Sequence, residues 1–457
     1  MSARRAPIGL EHGRVVLRRR GRVEPAHFAG TPAPDAAWAR RFAALGVPGV
    51  CFSATADAHP YGLASPVLDA AGRRDFGAFD ATCRAILAGA PDAALLPRIH
   101  VASTEAWDAA HSDELVEWED GRRERSFGEG YLKRTAPSFS SRRWREYAAD
   151  NLRALLEHAR RQDYADALVG VLVCGGHTEE WFHLGATRDL LCDGSAPARE
   201  AWDAWRAARG LEPAPIPDPA RRRAAGPDRF RTDPDVVAYE RFFSEEIADV
   251  VGLLCGVVQE VSEGRWAAGA FYGYLVEMAC HGAAMRHGGH LALDRALADP
   301  RIDFLSSPTS YVKRDARRGA SQSMLPTASV AAAGKAVLHE NDVRTFRLRD
   351  DAGYGWSEHA SESAAQLRRE ADFVEEQGLG LLWFDMTGTF YDDPVLEQEI
   401  AEASTRGRRL LGRPREPAPV VFAVDVPSLR ILDLWGDWYA DLLPRQLAEL
   451  RRTGVAV

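Results

Sequence analysis

Carboxyl side chains follow two apolar runs of the sequence, at the point where each run ends. The stretch GVLVCGGHTEEW brings Glu179 and Glu180 to this position, and the stretch KAVLHENDVRT brings Glu340 and Asp342. Cleavage of a glycosidic bond needs two such groups, because one carboxyl protonates the leaving oxygen while the other attacks or activates water. The alternative is that each carboxylate forms a structural ion pair in a loop, as Asp342 could with Arg344. Spacing alone leaves both interpretations open.

Further polar side chains fall at the same level of the sequence pattern. Arg98 stands inside the apolar run LLPRIHV. An unpaired guanidinium there would be costly to bury, so we expect Arg98 to meet a carboxylate near the centre of the fold, where it could orient a nucleophile. The other polar candidates for substrate binding are His177, Glu179, Asp342 and Asp385, whereas His100 and His290, also at this level, are more often structural as lone histidines.

Aromatic residues near the ends of the apolar runs give a second indication. Sugar rings present apolar C–H faces that stack on Trp and Tyr side chains. The residues concerned are Trp107, Trp181, Tyr272, Tyr274, Tyr311, Trp356 and Trp383. We favour Trp383 and Tyr311 as substrate contacts and retain Trp107, Trp181 and Tyr272 as further candidates. Core packing is the alternative, above all for Tyr272 and Tyr274, which lie two positions apart on one predicted strand.

Eight short apolar runs must position these side chains. They cover residues 25–30, 47–53, 94–101, 168–175, 266–274, 302–307, 335–340 and 380–385. Amphipathic helical patterns lie between them, most clearly over 141–161, 236–262 and 358–377. Alternating strands and helices predict an α/β protein, and eight strands fit a closed (β/α)8 TIM barrel better than an open sheet. The carboxyl ends of barrel strands carry the active site, which is where the glutamates fall.

Three segments lie outside this pattern. Residues 1–24 predict a short N-terminal β segment, before a barrel over 25–413. An excursion over 177–235 is too long for a simple loop, and we expect it to form part of the wall of the site. Residues 414–457 contain a strand-like run, VVFAVD at 420–425, and a helical pattern over 429–452, which together predict the start of a further α/β unit.

Composition and charge disfavour several kinds of partner. The 457 residues are 46% hydrophobic and 27% charged, which is ordinary for a globular protein with a sizeable core. A formal net charge of −9 disfavours binding to nucleic acid or to anionic lipid. The sequence has no apolar stretch of membrane-spanning length, and its six cysteines include no CxxC pair. We therefore expect free thiols, no metal site and a cytoplasmic location.

Four motifs, GGHTEEWFHLG, RIDFLSSPTSY, GKAVLHENDVRTF and GLLWFDMTGTFYDDP, resemble the strand-end motifs of glycoside hydrolase family 42 β-galactosidases and their relatives. The resemblance covers roughly residues 20 to 410. It implies a retaining enzyme of this clan that cleaves an oligosaccharide or other β-glycoside without a cofactor, with Glu180 as acid/base and Glu340 as nucleophile. The clan usually carries Asn before the acid/base, where it binds the sugar 2-hydroxyl. Glu179 in that place leaves the sugar open and is itself a second candidate for the acid/base.

The run PVVFAVDVPSLRILDLWGDWYADLLPRQLAEL resembles the start of the amidotransferase-like domain through which such enzymes often form trimers. A homo-oligomer is therefore among the expectations for this chain.

Two other functions fit parts of the sequence. A barrel lyase or aldolase would need a Schiff-base lysine, and only Lys335 of the three lysines lies on a predicted strand, at its N-terminal end. A carbohydrate-binding barrel without activity would need the aromatic residues but not both carboxylates. Hydrolysis of aryl β-glycosides would distinguish the enzyme from the binding protein.

Overall fold

A small antiparallel sheet opens the described part of the chain. The computed structural model describes residues 6–55, 65–69, 71–126, 133–183, 190–278, 287–311, 313–317, 319–348, 353–433, 438–454 and 457. Strands β1 (Ile8–Glu11), β2 (Arg14–Arg19) and β3 (Arg22–Pro25) are joined by the two-residue turns His12–Gly13 and Arg20–Gly21. All four turn residues have φ between 47° and 76°, which matches the twist of hairpin strands.

Eight parallel strands form a closed barrel after this sheet. The remaining strands are β4 (His27–Gly30), β5 (Gly49–Thr55), β6 (Ser65–Pro66), β7 (Ala94–His100), β8 (Arg125–Ser126), β9 (Lys133–Arg134), β10 (Gly170–Cys174), β11 (Ala267–Phe271), β12 (Phe304–Pro308), β13 (Ala336–Asn341) and β14 (Gly380–Phe384). Barrel pairing runs β4–β5–β7–β10–β11–β12–β13–β14 and returns from β14 to β4. β6 pairs with the end of β5, and β8 pairs with β9. The predicted (β/α)8 TIM barrel is confirmed.

Helices alternate with the barrel strands. They are α1 (Ala36–Ala44), α2 (Gly77–Gly89), α3 (Glu105–Ala110), α4 (Arg142–Ala159), α5 (Ala196–Ala207), α6 (Pro219–Arg223), α7 (Pro234–Ser262), α8 (Leu293–Ala298), α9 (Thr327–Ala332), α10 (Ala360–Gln377) and α11 (Pro394–Leu410). Polar caps set where α4 and α7 begin: Ser141 accepts the Trp144 N–H at 3.0 Å before α4, and Asp233 precedes Pro234 at the start of α7. The excursion over 177–235 contains α5 and α6.

Glycines inside the barrel make room for aromatic side chains. Phe28 on β4 pairs in register with Gly49 on β5, and a Cβ added to Gly49 would lie 2.2 Å from the Phe28 ring. Gly269 on β11 pairs with Phe304 on β12, where the corresponding distance is 2.6 Å. Because successive residues of a strand alternate between the interior and the helix layer, these pairs identify which residues of each strand point inward.

All eight predicted barrel strands are present, with ends that differ by at most three residues from those expected. The helices predicted over 141–161, 236–262 and 358–377 appear as α4, α7 and α10. The strand predicted over 420–425 is wrong: these residues form no regular element, and Val421 is 84% exposed. A strand needs a partner with unpaired backbone groups, and each strand of a closed barrel already has two neighbours. The helix predicted over 429–452 is present in part: α12 (Val426–Ile431) ends early, whereas α13 (Trp438–Ala440), a π turn (Asp441–Arg445) and α14 (Gln446–Arg452) follow one another without a gap.

The segment that contains α12 and α13 packs on loops of the barrel. The Arg231 backbone N–H donates to the Ile431 carbonyl at 2.6 Å. Arg430 donates to the Leu291 carbonyl at 2.6 Å, and the Tyr439 hydroxyl donates to the Val276 carbonyl. These contacts tie the segment to the loops that follow β10 and β11.

The five cysteines that the structure describes are buried and free, as expected: they are Cys51, Cys83, Cys174, Cys192 and Cys255. Among the described helices, none combines the length and the apolar character that a membrane crossing requires.

Candidate active site

A left-handed turn after β10 carries the first two candidate carboxylates. Thr178, Glu179 and Trp181 have φ of 51°, 74° and 58°, a region that residues other than glycine rarely occupy. The Trp181 backbone N–H returns to the Gly175 carbonyl at 2.8 Å, which closes the turn. Strained backbone of this kind persists where its surroundings fix it and is often found at functional sites. Here it presents two consecutive glutamates to the barrel.

Glu180 is buried, and no cationic side chain among the described residues pairs with it. Its side chain accepts hydrogen bonds from the Tyr274 hydroxyl, at 2.9 Å, and from the Thr178 hydroxyl. Burial, together with the negative charge of Glu340, raises the pKa of Glu180 to about 8 against the two hydrogen bonds, which lower it. Glu180 therefore carries a proton at neutral pH.

His290 connects the two turns that surround this carboxyl group. Its Nδ1 accepts the backbone N–H groups of Gly273 and Tyr274, each at 3.2 Å. The proton must then sit on Nε2, which donates to the Glu180 backbone carbonyl at 2.9 Å. Burial lowers the pKa of His290 to about 3. A neutral histidine thus holds the Glu180 backbone against the segment that supplies Tyr274.

The third candidate carboxylate, Glu340, forms a buried ion pair inside the barrel. Arg98 Nη1 donates to Glu340 Oε2 at 2.6 Å, and the other terminal nitrogen of Arg98 contacts Glu179 Oε2. All three side chains are at least 94% buried. Arg98 therefore meets carboxylates as its burial required, and it meets two of them.

Opposing effects set the protonation of Glu340. Burial raises its pKa to about 7, with contributions from the charges of Asp342 and Glu179, while Arg98 pulls the pKa down. In the described part of the chain, no such cation lowers the pKa of Glu180. The two surroundings therefore differ, and the pKa of Glu180 is raised further than that of Glu340.

A second ion pair lies beside the first. Arg314 Nη2 donates to Asp342 Oδ1 at 2.8 Å, and the Tyr311 hydroxyl donates to Asp342 Oδ2 at 2.7 Å. The guanidinium of Arg314 lies 3.7 Å from the centre of the Tyr311 ring. Burial would raise the pKa of Asp342, but Arg314 and Arg344 outweigh it and hold that pKa below its usual range. Asp342 is an ionised structural partner that fixes Tyr311, which is half-buried beside the site.

Three of the predicted aromatic contacts are fully buried and serve packing. Trp181 donates its indole N–H to the Val173 carbonyl at 2.9 Å. Tyr272 donates its hydroxyl to the carbonyls of Ser244 and Gly289. Trp383 lies against Tyr391, with ring centres 6.0 Å apart. The structure does not bring these three rings to the surface of the site.

Trp383 points away from the barrel interior. It is paired in register with Asn341, the residue after Glu340, and Glu340 itself faces inward. Strand alternation therefore directs Trp383 to the helix layer.

The remaining predicted residues lie beside the site or outside its description. Trp107 is buried in α3, 5.6 Å from the ring of Tyr147. Asp385 accepts the Phe390 backbone N–H at 3.1 Å and shapes the turn after β14. The side chain of His177 falls outside the described residues.

Tyr274, Thr178 and His290 form the surroundings of Glu180 but were not among the favoured candidates. Tyr272 and Tyr274 both lie beyond the end of β11 at Phe271, and Gly273 between them has a φ of 89°. The chain turns there, so the Tyr272 hydroxyl reaches α7 while the Tyr274 hydroxyl reaches Glu180.

Lys335 lies at the opposite end of the barrel from the carboxylates. Its ammonium group donates to the carbonyls of Asp299 and Ile302, at 2.7 Å and 2.6 Å. It is thus engaged at the N-terminal end of β13, away from the strand ends that carry Glu180 and Glu340. In the ranges that the structure describes, no group of three or more His, Cys, Asp or Glu side chains is arranged to hold a metal ion.

Two barrels of known structure have similar folds. The catalytic domain of a β-amylase from Paenibacillus polymyxa matches with a TM-score of 0.57 and 12% sequence identity, over 83% of this chain and 98% of that chain. A β-galactosidase from the psychrophilic Marinomonas ef1 matches with a TM-score of 0.56 and 13% identity, over 92% of this chain and 65% of that chain. No protein-family model and no curated protein sequence matches this chain. Identities this low establish a shared barrel fold only.

Proposed function

We propose that this protein is a retaining glycoside hydrolase that cleaves β-linked sugars, with Glu180 as the acid/base and Glu340 as the nucleophile. One observation carries the proposal: two buried carboxyl groups at the ends of β10 and β13 have opposite surroundings, hydroxyl groups around Glu180 and a guanidinium on Glu340. Pairs of carboxyl groups whose environments separate their pKa values are typical of acid and nucleophile assignments.

Glu180 suits the role of acid better than its neighbour Glu179. An acid must hold a proton at the working pH, and the pKa of Glu180 is raised to about 8. Glu179 is ion-paired with Arg98, which stabilises the ionised form. The Arg98 guanidinium thus contacts the Glu179 carboxylate, whereas hydroxyl groups contact Glu180.

Glu340 suits the role of nucleophile because Arg98 holds one of its oxygens and favours the ionised form. In the first step Glu340 forms a bond to the anomeric carbon as the bond to the leaving oxygen breaks, and Glu180 gives that oxygen its proton. In the second step Glu180 takes a proton from water, whose oxygen displaces Glu340 from the same carbon. Two displacements return the original configuration, and no redox partner is needed.

The substrate class in this proposal comes from similarity. The strand-end motifs resemble those of family 42 β-galactosidases, and a β-amylase and a β-galactosidase share the barrel fold. We infer a β-galactoside or a related β-glycoside as substrate. Tyr311, which Asp342 fixes beside the site, is the described aromatic side chain best placed to contact it.

The decisive experiment is a panel of nitrophenyl α- and β-glycosides (galactoside, glucoside, mannoside, arabinoside and fucoside), with the configuration of the first product followed by NMR. We expect hydrolysis of a β-glycoside with net retention. Net inversion, or no hydrolysis of any β-glycoside, would contradict the proposal.

Azide separates the roles of the two glutamates. With Glu180→Ala, azide should attack the glycosyl-enzyme and give a β-glycosyl azide, whereas with Glu340→Ala it should attack the activated substrate directly and give an α-glycosyl azide. Glu200→Gln, at an exposed position on α5, is the control and should behave like wild type. A fluorosugar label found on Glu180 or Asp342, instead of Glu340, would refute the assignment.

A further inference from the structure

Arg98 contacts two carboxylates at the same time. One terminal nitrogen lies 2.6 Å from Glu340 Oε2, and the other contacts Glu179 Oε2. The guanidinium also lies close to two rings, 4.2 Å from the centre of Phe384 and 4.8 Å from that of Phe271. Contact with both rings restricts the guanidinium, so the position of each carboxylate depends on the fork they share.

Glu179 reaches this fork through an unfavourable backbone conformation. Its φ of 74° lies in the left-handed region, which is energetically unfavourable for a residue with a long side chain. Its carboxylate is 98% buried, so water does not screen its charge from the neighbouring groups. The contact with Arg98 is what compensates this burial.

We propose that Glu179 is a positioning residue that acts through Arg98 on the proposed nucleophile Glu340, fixing the guanidinium and neutralising part of its charge. The role of Glu340 as nucleophile rests on the proposed function. The coupling of Glu179 to Glu340 depends only on the three side chains Arg98, Glu179 and Glu340. Arg98 paired with Glu340 alone would hold that carboxylate firmly ionised and weakly basic. Glu179 offsets this effect and leaves a more basic oxygen for attack.

The groups that face Glu340 allow the effect of one charge to be isolated. They are Arg98 on β7, Glu179 and Glu180 after β10, Asp342 after β13, the thiols of Cys51 and Cys174, and the phenols of Tyr274 and Tyr391. Burial raises the pKa of both thiols and both phenols, so these four groups stay neutral near pH 7. Among the described residues, Asp342 is paired with Arg314 and Glu180 holds its proton, so Glu179 is the charge that opposes Arg98.

The test compares four residues at position 179: the natural Glu, Glu179→Gln, Glu179→Asp and Glu179→Asn. Gln differs from Glu, and Asn from Asp, by charge at nearly constant shape. The shorter pair also tolerates positive φ well, so it decides the question even where the Gln variant fails to fold.

The readout is the titration of Glu340 by carbon NMR of proteins labelled in the glutamate carboxyl groups, with the resonance assigned by its loss in Glu340→Gln. We expect a midpoint near 7 in wild type. It should be lower by about one pH unit or more in each neutral variant than in its charged counterpart. Equal midpoints within both pairs would overturn the proposal, because a purely structural role for Glu179 would lower the melting temperature without moving this titration.

Activity gives a second and separable measurement. The acidic limb of kcat/KM on the best nitrophenyl glycoside should move down with the Glu340 midpoint in the neutral variants, while the basic limb stays in place. If wild type hydrolyses no glycoside, the proposed function fails, and the NMR titration still decides the coupling. If hydrolysis occurs and the acidic limb of kcat/KM lies at the same pH with and without the charge at position 179, the positioning role is refuted.

Discussion

Replacing Tyr274 by Phe should move the basic limb of the pH profile upward. In the proposed roles Glu180 must be protonated and Glu340 ionised, so wild-type kcat/KM should be highest between about 7 and about 8. The Tyr274 hydroxyl donates to Glu180 Oε1 at 2.9 Å in a buried site. A hydrogen bond to an ionised group contributes about 1.5–3 kcal/mol, part of which the protonated carboxyl group also receives.

The direction of the pKa shift follows from the protonation state of Glu180 that the hydrogen bond favours. Tyr274 stabilises ionised Glu180, so its removal raises the Glu180 pKa, by about one pH unit at 1.36 kcal/mol per unit. The basic limb should therefore move from about 8 to about 9. Tyr274 itself does not titrate here, because burial and the charge of Glu180 raise its own pKa well above the usual value.

The assay is kcat/KM between pH 5 and pH 10 for wild type, Tyr274→Phe and a matched control, Tyr272→Phe. Tyr272 is equally buried and two positions earlier, but its hydroxyl donates to the carbonyls of Ser244 and Gly289. The control should lose about 1 kcal/mol of stability and keep its basic limb. A limb that stays in place or moves down in Tyr274→Phe would refute the reasoning, and so would an equal shift in the control.

Three further variants test the energetics of the barrel. Burial keeps a proton on folded Glu180 that the unfolded chain releases above its ordinary pKa of 4.5, so stability falls as pH rises from 4.5 to about 8. Glu180→Gln should therefore exceed wild type at pH 8 by on the order of 4 kcal/mol in urea unfolding, and show no such gain at pH 4. Arg314→Met should cost about 3–5 kcal/mol by leaving Asp342 buried and unpaired, and adding Asp342→Asn should recover part of the loss. Gly49→Ala should cost about 1–3 kcal/mol in thermal unfolding, because its Cβ meets the Phe28 ring; unchanged stability would contradict the described packing.

The barrel could be predicted from the sequence because its strands are buried on both faces. Such strands appear as unbroken apolar runs, which stand out from the amphipathic helices between them. The run over 420–425 has the same character, but it lies beyond a barrel whose strands are all paired. Strand propensity describes how well a segment fits a sheet, and it cannot say whether a partner is available.

The site could be predicted only in part, for a related reason. Arg98 was recognisable because a lone guanidinium in an apolar run must find a carboxylate. The direction of each aromatic side chain depends on where its strand begins, because side chains along a strand alternate between the two faces of the sheet. It also depends on neighbours that are far away in the sequence. In the structure Trp383 packs against Tyr391, whereas Tyr274 contacts Glu180.

The ties between α12, α13 and the loops of the barrel have a consequence for the order of folding. Val276 and Leu291, whose carbonyls accept from Tyr439 and Arg430, flank the segments that supply Tyr274 and His290. During synthesis, β10 and β11 can pair long before residue 430 has left the ribosome. The surroundings of Glu180 gain their last anchors more than a hundred residues later, so a nascent chain can form most of its barrel before the environment that raises the pKa of Glu180 is complete.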